Sequence, residues 1–287
     1  MFTRRWKSIA ILAAVVGMIG AACGGGKEEP KDLLTSIMDS GKIRVATDPK
    51  YPPQSELDAK SNTWKGFDID VANEIAKRMG VDVEFVTPAW ESITAGNWHG
   101  RWDLSVGSMT ITPDRAKVLD FSAPYYFTPA GLAVNADNTS ITSPADLTGK
   151  KVGSCGACTY EQYLEGTLEI PDFPIDFQVK GADVVTYDTD STAIEDLSLG
   201  DCERLCAVFS AVPTLQGAID DGAPIKLLGD PLFFEPLGVA VDKEASLDPT
   251  SFANKVSSIV TDMHEDGTLS ELSKKWYDGQ DLTVQTG

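Results

Sequence analysis

The chain has 287 residues, 42% of them hydrophobic and 23% charged, with 24 Lys and Arg against 43 Asp and Glu and a formal net charge of −19. That composition belongs to a folded globular protein and excludes both a wholly disordered chain and a polytopic membrane protein. The net acidity excludes a nucleic-acid partner, because affinity for phosphate backbones comes from clustered Lys and Arg. His99 and His264 are the only histidines. They leave no His-rich zinc pattern and little material for His-based nucleophilic catalysis, so no metal or cofactor is expected.

The N-terminus has the form of an export signal. Arg4, Arg5 and Lys7 precede an uncharged, mostly apolar run from Ile9 to Ala22. That run is shorter than the ~20 residues a membrane span needs, so residues 1–22 read as a removable signal peptide rather than an anchor helix. Gly20-Ala21-Ala22-Cys23 and the polar stretch Gly24–Pro30 resemble a bacterial lipoprotein signal, although Gly20 stands where that signal usually has Leu. The resemblance implies a lipidated Cys23 at the mature N-terminus and a flexible tether over residues 23–37. The alternative is a plain signal peptide with an incidental cysteine. Outside the cytoplasm, Cys155, Cys158, Cys202 and Cys206 form an even set that invites disulfides, with three pairings open. Cys155-Gly156-Ala157-Cys158 has the spacing of a redox CxxC, but without a thioredoxin-like context it reads as a structural bridge.

From there strands and helices alternate. A short helix over Lys31–Asp39 precedes a strand at Lys42–Thr47. Ile69, Ala72, Ile75, Ala76 and Met79 recur at helical spacing within Asp68–Met79, which ends at Gly80. Val81–Val86 alternates apolar and polar residues as a half-buried strand does, and Asp103–Gly107 is another strand. A second series follows Gly131, with strands at Leu132–Asn135, Lys151–Ser154, Val184–Tyr187 and Arg204–Phe209. Helices at Thr159–Glu169, Ser191–Leu199 and Val212–Asp221 separate them. Leu237–Val241 returns as a strand before helices over Pro249–Glu265 and Thr268–Tyr277. The alternation predicts an α/β fold with mainly parallel sheets flanked by helices. Proline-rich punctuation at Pro124–Pro129 and at Pro231–Pro236 marks two crossing points. Residues 38–129 with 236–287 would form one lobe and residues 130–235 the other, joined by a hinge with a cleft between them.

The chemistry concentrates in Trp102–Arg115. A buried strand delivers Ser108 and Thr110 at its exit, Thr112 can cap a turn that starts at Pro113, and Arg115 sits on that turn. A guanidinium beside two hydroxyls is good equipment for a carboxylate.

Gly107–Arg115 with Val118–Tyr126 resembles the solute-binding family that serves polar amino-acid ABC transporters, extracellular solute-binding family 3. Ile43–Pro53, Gly66–Ala72, Asp266–Leu269 and Lys275–Tyr277 resemble further family segments in the family's order. The resemblance implies a two-lobed type II periplasmic-binding-protein fold. It also implies an extracytoplasmic receptor that captures an amino acid or related carboxylate and delivers it to a membrane permease. Arg115 matches the clamp for the ligand carboxylate, Ser108 and Thr110 match neighbouring hydrogen-bonding groups, and Tyr51 and Trp90 match the aromatic walls. Thr159 matches the hydroxyl from the far lobe, and Asp48 a position that reaches the ligand side chain in some members. One departure stands out: Ala211 occupies the place of the acid that binds the ligand ammonium, and Asp190 is a candidate substitute or simply the first acid of a helix. A monomer without enzymatic activity is expected. A dehydratase or lyase on the same scaffold, or a ligand sensor, are the alternatives.

Overall fold

The computed structural model describes residues 31–200 and 202–284. The expected signal peptide and Cys23 lie outside them. In chain order the elements are α1 (Leu33–Ser40), β1 (Lys42–Ala46), β2 (Lys50–Tyr51), β3 (Ser55–Asp58), β4 (Thr63–Lys65), α2 (Phe67–Met79) and β5 (Asp82–Val86). Then come α3 (Trp90–Thr94), β6 (Leu104–Thr110), α4 (Arg115–Val118), β7 (Leu119–Phe121), β8 (Tyr126–Asn135), β9 (Lys151–Cys155), α5 (Thr159–Glu165) and β10 (Asp183–Tyr187). The chain continues through α6 (Asp190–Ser198), β11 (Ala207–Ala211), α7 (Val212–Asp220), β12 (Ile225–Asp242), α8 (Thr250–Glu265) and α9 (Thr268–Trp276).

Nine strands share one hydrogen-bonded sheet in the order β10-β9-β11-β8-β12-β6-β1-β5, with β7 paired to β12. Its two ends are parallel, β10-β9-β11 on one side and β6-β1-β5 on the other. The long strands β8 and β12 run antiparallel to each other between them. Each end carries its own core. Ile43, Val45, Phe67, Ile75, Leu104, Phe252 and Val260 pack together on the side built from both chain ends, with Trp98, Trp102 and Met109 in an adjoining cluster. Leu132, Val152, Tyr163 and Phe209 form the core of the middle segment, backed by Ile194, Val208 and Leu215. Two cores joined by two crossing strands make two lobes.

Local chemistry sets the boundaries. Asp32 caps α1 by accepting from the Thr35 amide at 2.8 Å. The apolar face of α2 is buried, and Gly80 ends the helix at φ +74°. The helix expected over Thr159–Glu169 stops at Glu165, because Gly166 takes a left-handed φ of +76°. The strand expected from Arg204 begins three residues later, at Ala207, because Cys202 and Cys206 are bonded to each other and hold the intervening turn. Pro231 lies within β12 where the register with β8 lapses between Leu228 and Phe233, while Pro236 stays in register opposite Phe127. A proline has no amide to give a ladder, so it is tolerated where pairing lapses. The three-stranded sheet β2-β3-β4 was not foreseen; it carries Tyr51.

Candidate functional site

The cleft between the lobes is lined from one side by Asp48, Tyr51, Trp90, Ser108, Thr110 and Arg115, and from the other by Thr159 and Asp190. All eight residues singled out in the sequence therefore meet in one place. Gly107, Cys155, Cys158, Tyr160, Asp188 and Glu235 complete the wall.

Arg115 owes its position to the end of β6. The Thr112 hydroxyl accepts from the Arg115 amide at 3.3 Å, which starts α4 and swings the side chain inward. Arg115 is only 5% exposed. Its Nη1 donates to the Thr110 carbonyl at 3.0 Å, and its Nη2 reaches the other lobe to donate to the Ala157 carbonyl at 2.9 Å. The guanidinium carbon lies 5.5 Å from the centre of the Trp90 ring. Burial pulls its pKa down to about 10, against the opposing pull of Glu235 and Tyr160. No carboxylate lies within ion-pairing distance of it among the described residues.

Opposite Arg115, a disulfide joins Cys155 to Cys158 across the turn between β9 and α5. Within that turn Ala157 has φ +58°. Its amide donates to the Glu161 carboxylate at 2.6 Å, and its carbonyl accepts from both Arg115 and the Trp90 indole, the latter at 3.3 Å. The Tyr51 and Tyr160 hydroxyls meet at 3.2 Å, and Ser191 Oγ donates to the Lys50 carbonyl at 2.8 Å. These contacts hold the lobes closed on each other.

Sequence reasoning passed over Glu235. It rises from β12 into the cleft, 1% exposed, and its Oε1 accepts from the hydroxyls of Thr110 (2.7 Å) and Thr159, one from each lobe. Its Oε2 accepts from Tyr160 at 2.9 Å. Burial raises its pKa, while these hydroxyls and Arg115 act in the other direction. The signal was a lone acid between Phe234 and Pro236 in an otherwise apolar crossing strand.

Ser108, at φ +53°, lines the cleft with its hydroxyl engaged on the inner side, donating to Asp68 at 2.7 Å and meeting the Tyr126 hydroxyl at 2.6 Å. Asp68 also accepts from Tyr125 at 2.7 Å. Asp190 is both a first-turn acid and a cleft residue. It opens α6 just after the capping Thr189, and it lines the cleft with Oδ1 lacking a hydrogen-bond partner. Burial, with Asp48 and Glu235 nearby, raises its pKa to about 7. Asp48 is likewise raised by burial and accepts from the Lys50 amide at 2.7 Å. Ala211 ends β11 in the core of the middle segment. Cys155, Cys158 and Asp190 bring their ligand atoms within 4.8 Å of one another, but the two sulfurs are bonded together and offer a metal no thiolate.

Two α/β lobes that close through crossing strands over a cleft bearing one buried guanidinium and several carboxylates define a receptor for a small charged solute. The chain belongs to the bacterial extracellular solute-binding proteins, family 3, whose profile matches residues 43–279. This is the two-lobed type II periplasmic-binding-protein fold, as the solved structures below also show. The chain is 28% identical to the L-cystine-binding protein TcyJ of Escherichia coli (strain K12), over 94% of this chain and 96% of that one. An ancestral arginine-binding protein solved with arginine superposes with a TM-score of 0.70 at 33% identity, covering 83% of this chain and 98% of that one. The ancestral amino acid-binding protein AncCDT-1, described as a precursor of cyclohexadienyl dehydratase, gives 0.71 at 32% identity, covering 85% and 99%. No helix among the described residues is long and apolar enough to cross a membrane.

Proposed function

We propose that this protein is the substrate-binding component of an ABC importer, capturing an amino acid or a closely related carboxylate in the interlobe cleft and handing it to a membrane permease. The observation that carries this reading is Arg115, a buried guanidinium at the cleft wall with no carboxylate within ion-pairing distance among the described residues. A buried charge left unpaired costs several kcal/mol, and a ligand carboxylate supplies the missing partner. Tyr51 and Trp90 flank the ligand, and Thr110, Ser108 and Thr159 shape the space around its carboxylate. Asp190, with Asp48 and Glu235, receives its ammonium in place of the acid missing at Ala211. Four acids, Asp48, Asp188, Asp190 and Glu235, face one arginine in the cleft. That balance favours neutral and cationic amino acids over acidic ones.

Because the ligand touches both lobes, it binds the closed state more tightly than the open one and shifts the population toward closure. Residues 38–129 with 236–287 and residues 130–235 act as the two moving bodies. The protein works as a monomer outside the cytoplasm, freed of residues 1–22 and anchored by lipid on Cys23, and it releases its ligand unchanged. Calorimetric titration with zwitterionic, cationic and acidic amino acids tests this reading. Binding by a neutral or cationic amino acid that is lost in Arg115→Ala supports it; preference for glutamate, or binding that survives Arg115→Ala, overturns the assignment.

A second reading, a lyase, draws on the similarity to AncCDT-1 and on buried carboxyls with raised pKa values at Asp190 and Glu235. Product analysis after incubation with candidate carboxylates separates the two, since a receptor returns its ligand intact.

A further inference from the structure

Behind Ser108 lies a buried carboxyl that ligand capture as described above leaves unused. Asp68, in the first turn of α2, is fully buried and forms no ion pair among the described residues. Its Oδ2 accepts from the Ser108 hydroxyl and its Oδ1 from the Tyr125 hydroxyl, each at 2.7 Å. The Ser108 amide donates to the Tyr125 hydroxyl at 3.0 Å, and the Ser108 and Tyr126 hydroxyls meet at 2.6 Å. With Asp68 ionised, every proton in this cluster has one place. Ser108 and Tyr125 each spend their single O–H on the carboxylate, so Tyr126 is the donor to Ser108. Ser108 then has no proton to offer the cleft that it lines. A protonated Asp68 reverses the order, because a carboxylic acid must place its own O–H. Tyr125 already accepts from the Ser108 amide while donating to Oδ1, so the acid proton falls to Oδ2 and Ser108 becomes its acceptor. The Ser108 O–H is released. Tyr126 can turn its proton to Tyr277, whose ring stacks on it at 5.9 Å and whose buried hydroxyl finds no hydrogen-bond partner among the described residues.

We propose that Asp68 is a positioning residue for the ligand site, its proton turning the Ser108 hydroxyl from a donor aimed inward into a donor for a ligand carboxylate in the cleft. This role rests on the receptor reading above. A carboxylate ligand then binds the protonated form more tightly, and by linkage its binding draws a proton onto Asp68. Burial raises the Asp68 pKa to about 7, so both forms are populated near neutrality. The groups that face Asp68 are hydroxyls: Ser108 from β6, Tyr125 just before β8, and beyond them Tyr126 from β8 and Tyr277 just after α9. Glu235 on β12 acts on Tyr126. In the cleft, burial also raises the pKa values of Asp48, Asp190 and Glu235. Protonating those three weakens the hold on a ligand ammonium, so they tilt the pH profile of affinity the opposite way.

The test follows the tyrosines first, in the full chain with carbon-13-labelled tyrosine and no ligand. The ring signals of Tyr125 and Tyr126 should titrate with a midpoint of about 7 and lose that step in Asp68→Asn. Tyr277→Phe, which removes the acceptor for the turned Tyr126 proton, should move the midpoint to lower pH. Calorimetric titration with each of the standard amino acids and L-cystine, at about pH 6 and about pH 8.5, then reads the ligand side. Asp68→Asn carries a permanent donor and stands in for the protonated acid. The ratio of wild-type to variant Kd for one ligand should therefore rise about five- to tenfold between those two pH values. That ratio cancels the contributions of Asp48, Asp190, Glu235 and the ligand ammonium. A constant ratio, tyrosine signals that show no step near 7 or keep it in Asp68→Asn, or an unmoved midpoint in Tyr277→Phe would each overturn the proposal. The Tyr277→Phe arm decides even where Asp68→Asn fails to fold. Binding by none of these amino acids overturns the receptor reading and the ligand role of Asp68 together, whereas failure of the Asp68 role alone leaves binding in place.

Discussion

Thr110 donates its hydroxyl to Glu235 at 2.7 Å, so a carboxylate from the crossing strand already occupies a hydroxyl of the strand that delivers Arg115. Thr159 donates to the same oxygen from the opposite lobe. Glu235 thus ties both lobes to the hinge strand, while no Lys, Arg or His forms an ion pair with it among the described residues. In this setting a ligand ammonium is the natural counter-charge. Glu235→Gln keeps the size and one acceptor but removes the charge. Affinity for an ammonium-bearing amino acid should fall by about 2–5 kcal/mol in calorimetry. Thermal stability of the ligand-free protein should hold or rise, because a buried charge with no ion-pair partner among the described residues has gone. Unchanged affinity would remove Glu235 from the site.

Arg115 has two separable tasks. In the proposed function it offers charge to the ligand, and through Nη2 it donates to the Ala157 carbonyl of the other lobe. Arg115→Lys keeps the charge but loses the fork that spans Thr110 and Ala157, whereas Arg115→Ala loses both. Titration should therefore rank affinity as wild type, then lysine, then alanine, with alanine weaker by at least about 2 kcal/mol. Lysine equal to wild type would mean that charge alone matters and that the contact to Ala157 is incidental.

The position of Arg115 was legible because a strand exit, a capping Thr112 and a helical turn are local features, and local hydrogen bonding fixes where the guanidinium goes. The lobes were legible from strand–helix alternation. Glu235 was not, because its partners Thr110, Thr159 and Tyr160 come from distant parts of the chain, and only the closed fold brings their three hydroxyls to one carboxylate. The partnership of Asp68 with Ser108 was hidden for the same reason: as a residue near the start of a helix, Asp68 reads as an ordinary N-terminal acid. The small sheet β2-β3-β4 escaped because its strands are two to four residues long, too short for an alternating pattern to register.

Asp68 makes stability depend on pH in a stated direction. It is fully buried, and burial raises its pKa to about 7 against the Tyr125 and Ser108 hydroxyls that donate to it. In the unfolded chain an Asp titrates near 3.9. The folded state therefore holds the proton more tightly, and the associated stability is fully present below about pH 4 and lost as pH rises toward about 7. Asp190 and Glu235 act with the same sign. Asp266, pulled down to about 2 mainly by Thr268, acts oppositely and only in stronger acid. Scanning calorimetry of the ligand-free protein should give a higher Tm at about pH 5 than at about pH 8, and Asp68→Asn should flatten that difference. An identical slope in the variant would assign the effect to overall charge repulsion.

Gly66 sits where α2 begins, at φ +133°, and a Cβ there would fall 2.2 Å from the Gln54 carbonyl oxygen and 2.9 Å from Ser55 Cα. Both are backbone atoms, so no rotamer change relieves the clash. That carbonyl accepts from the Asp68 amide at 2.9 Å, which means that displacing it moves the carboxylate behind Ser108. Gly41 separates the two sources of cost: it also has a left-handed φ, +68°, but nothing lies within 4 Å of its would-be Cβ. Gly41→Ala should lower the urea unfolding free energy by about 1–2 kcal/mol, the backbone strain alone. Gly66→Ala adds a steric term and should lower it by about 2–5 kcal/mol, with weaker ligand binding as Asp68 shifts. Equal losses at the two positions would mean that φ, rather than the contact with Gln54, sets the requirement for glycine at the head of α2.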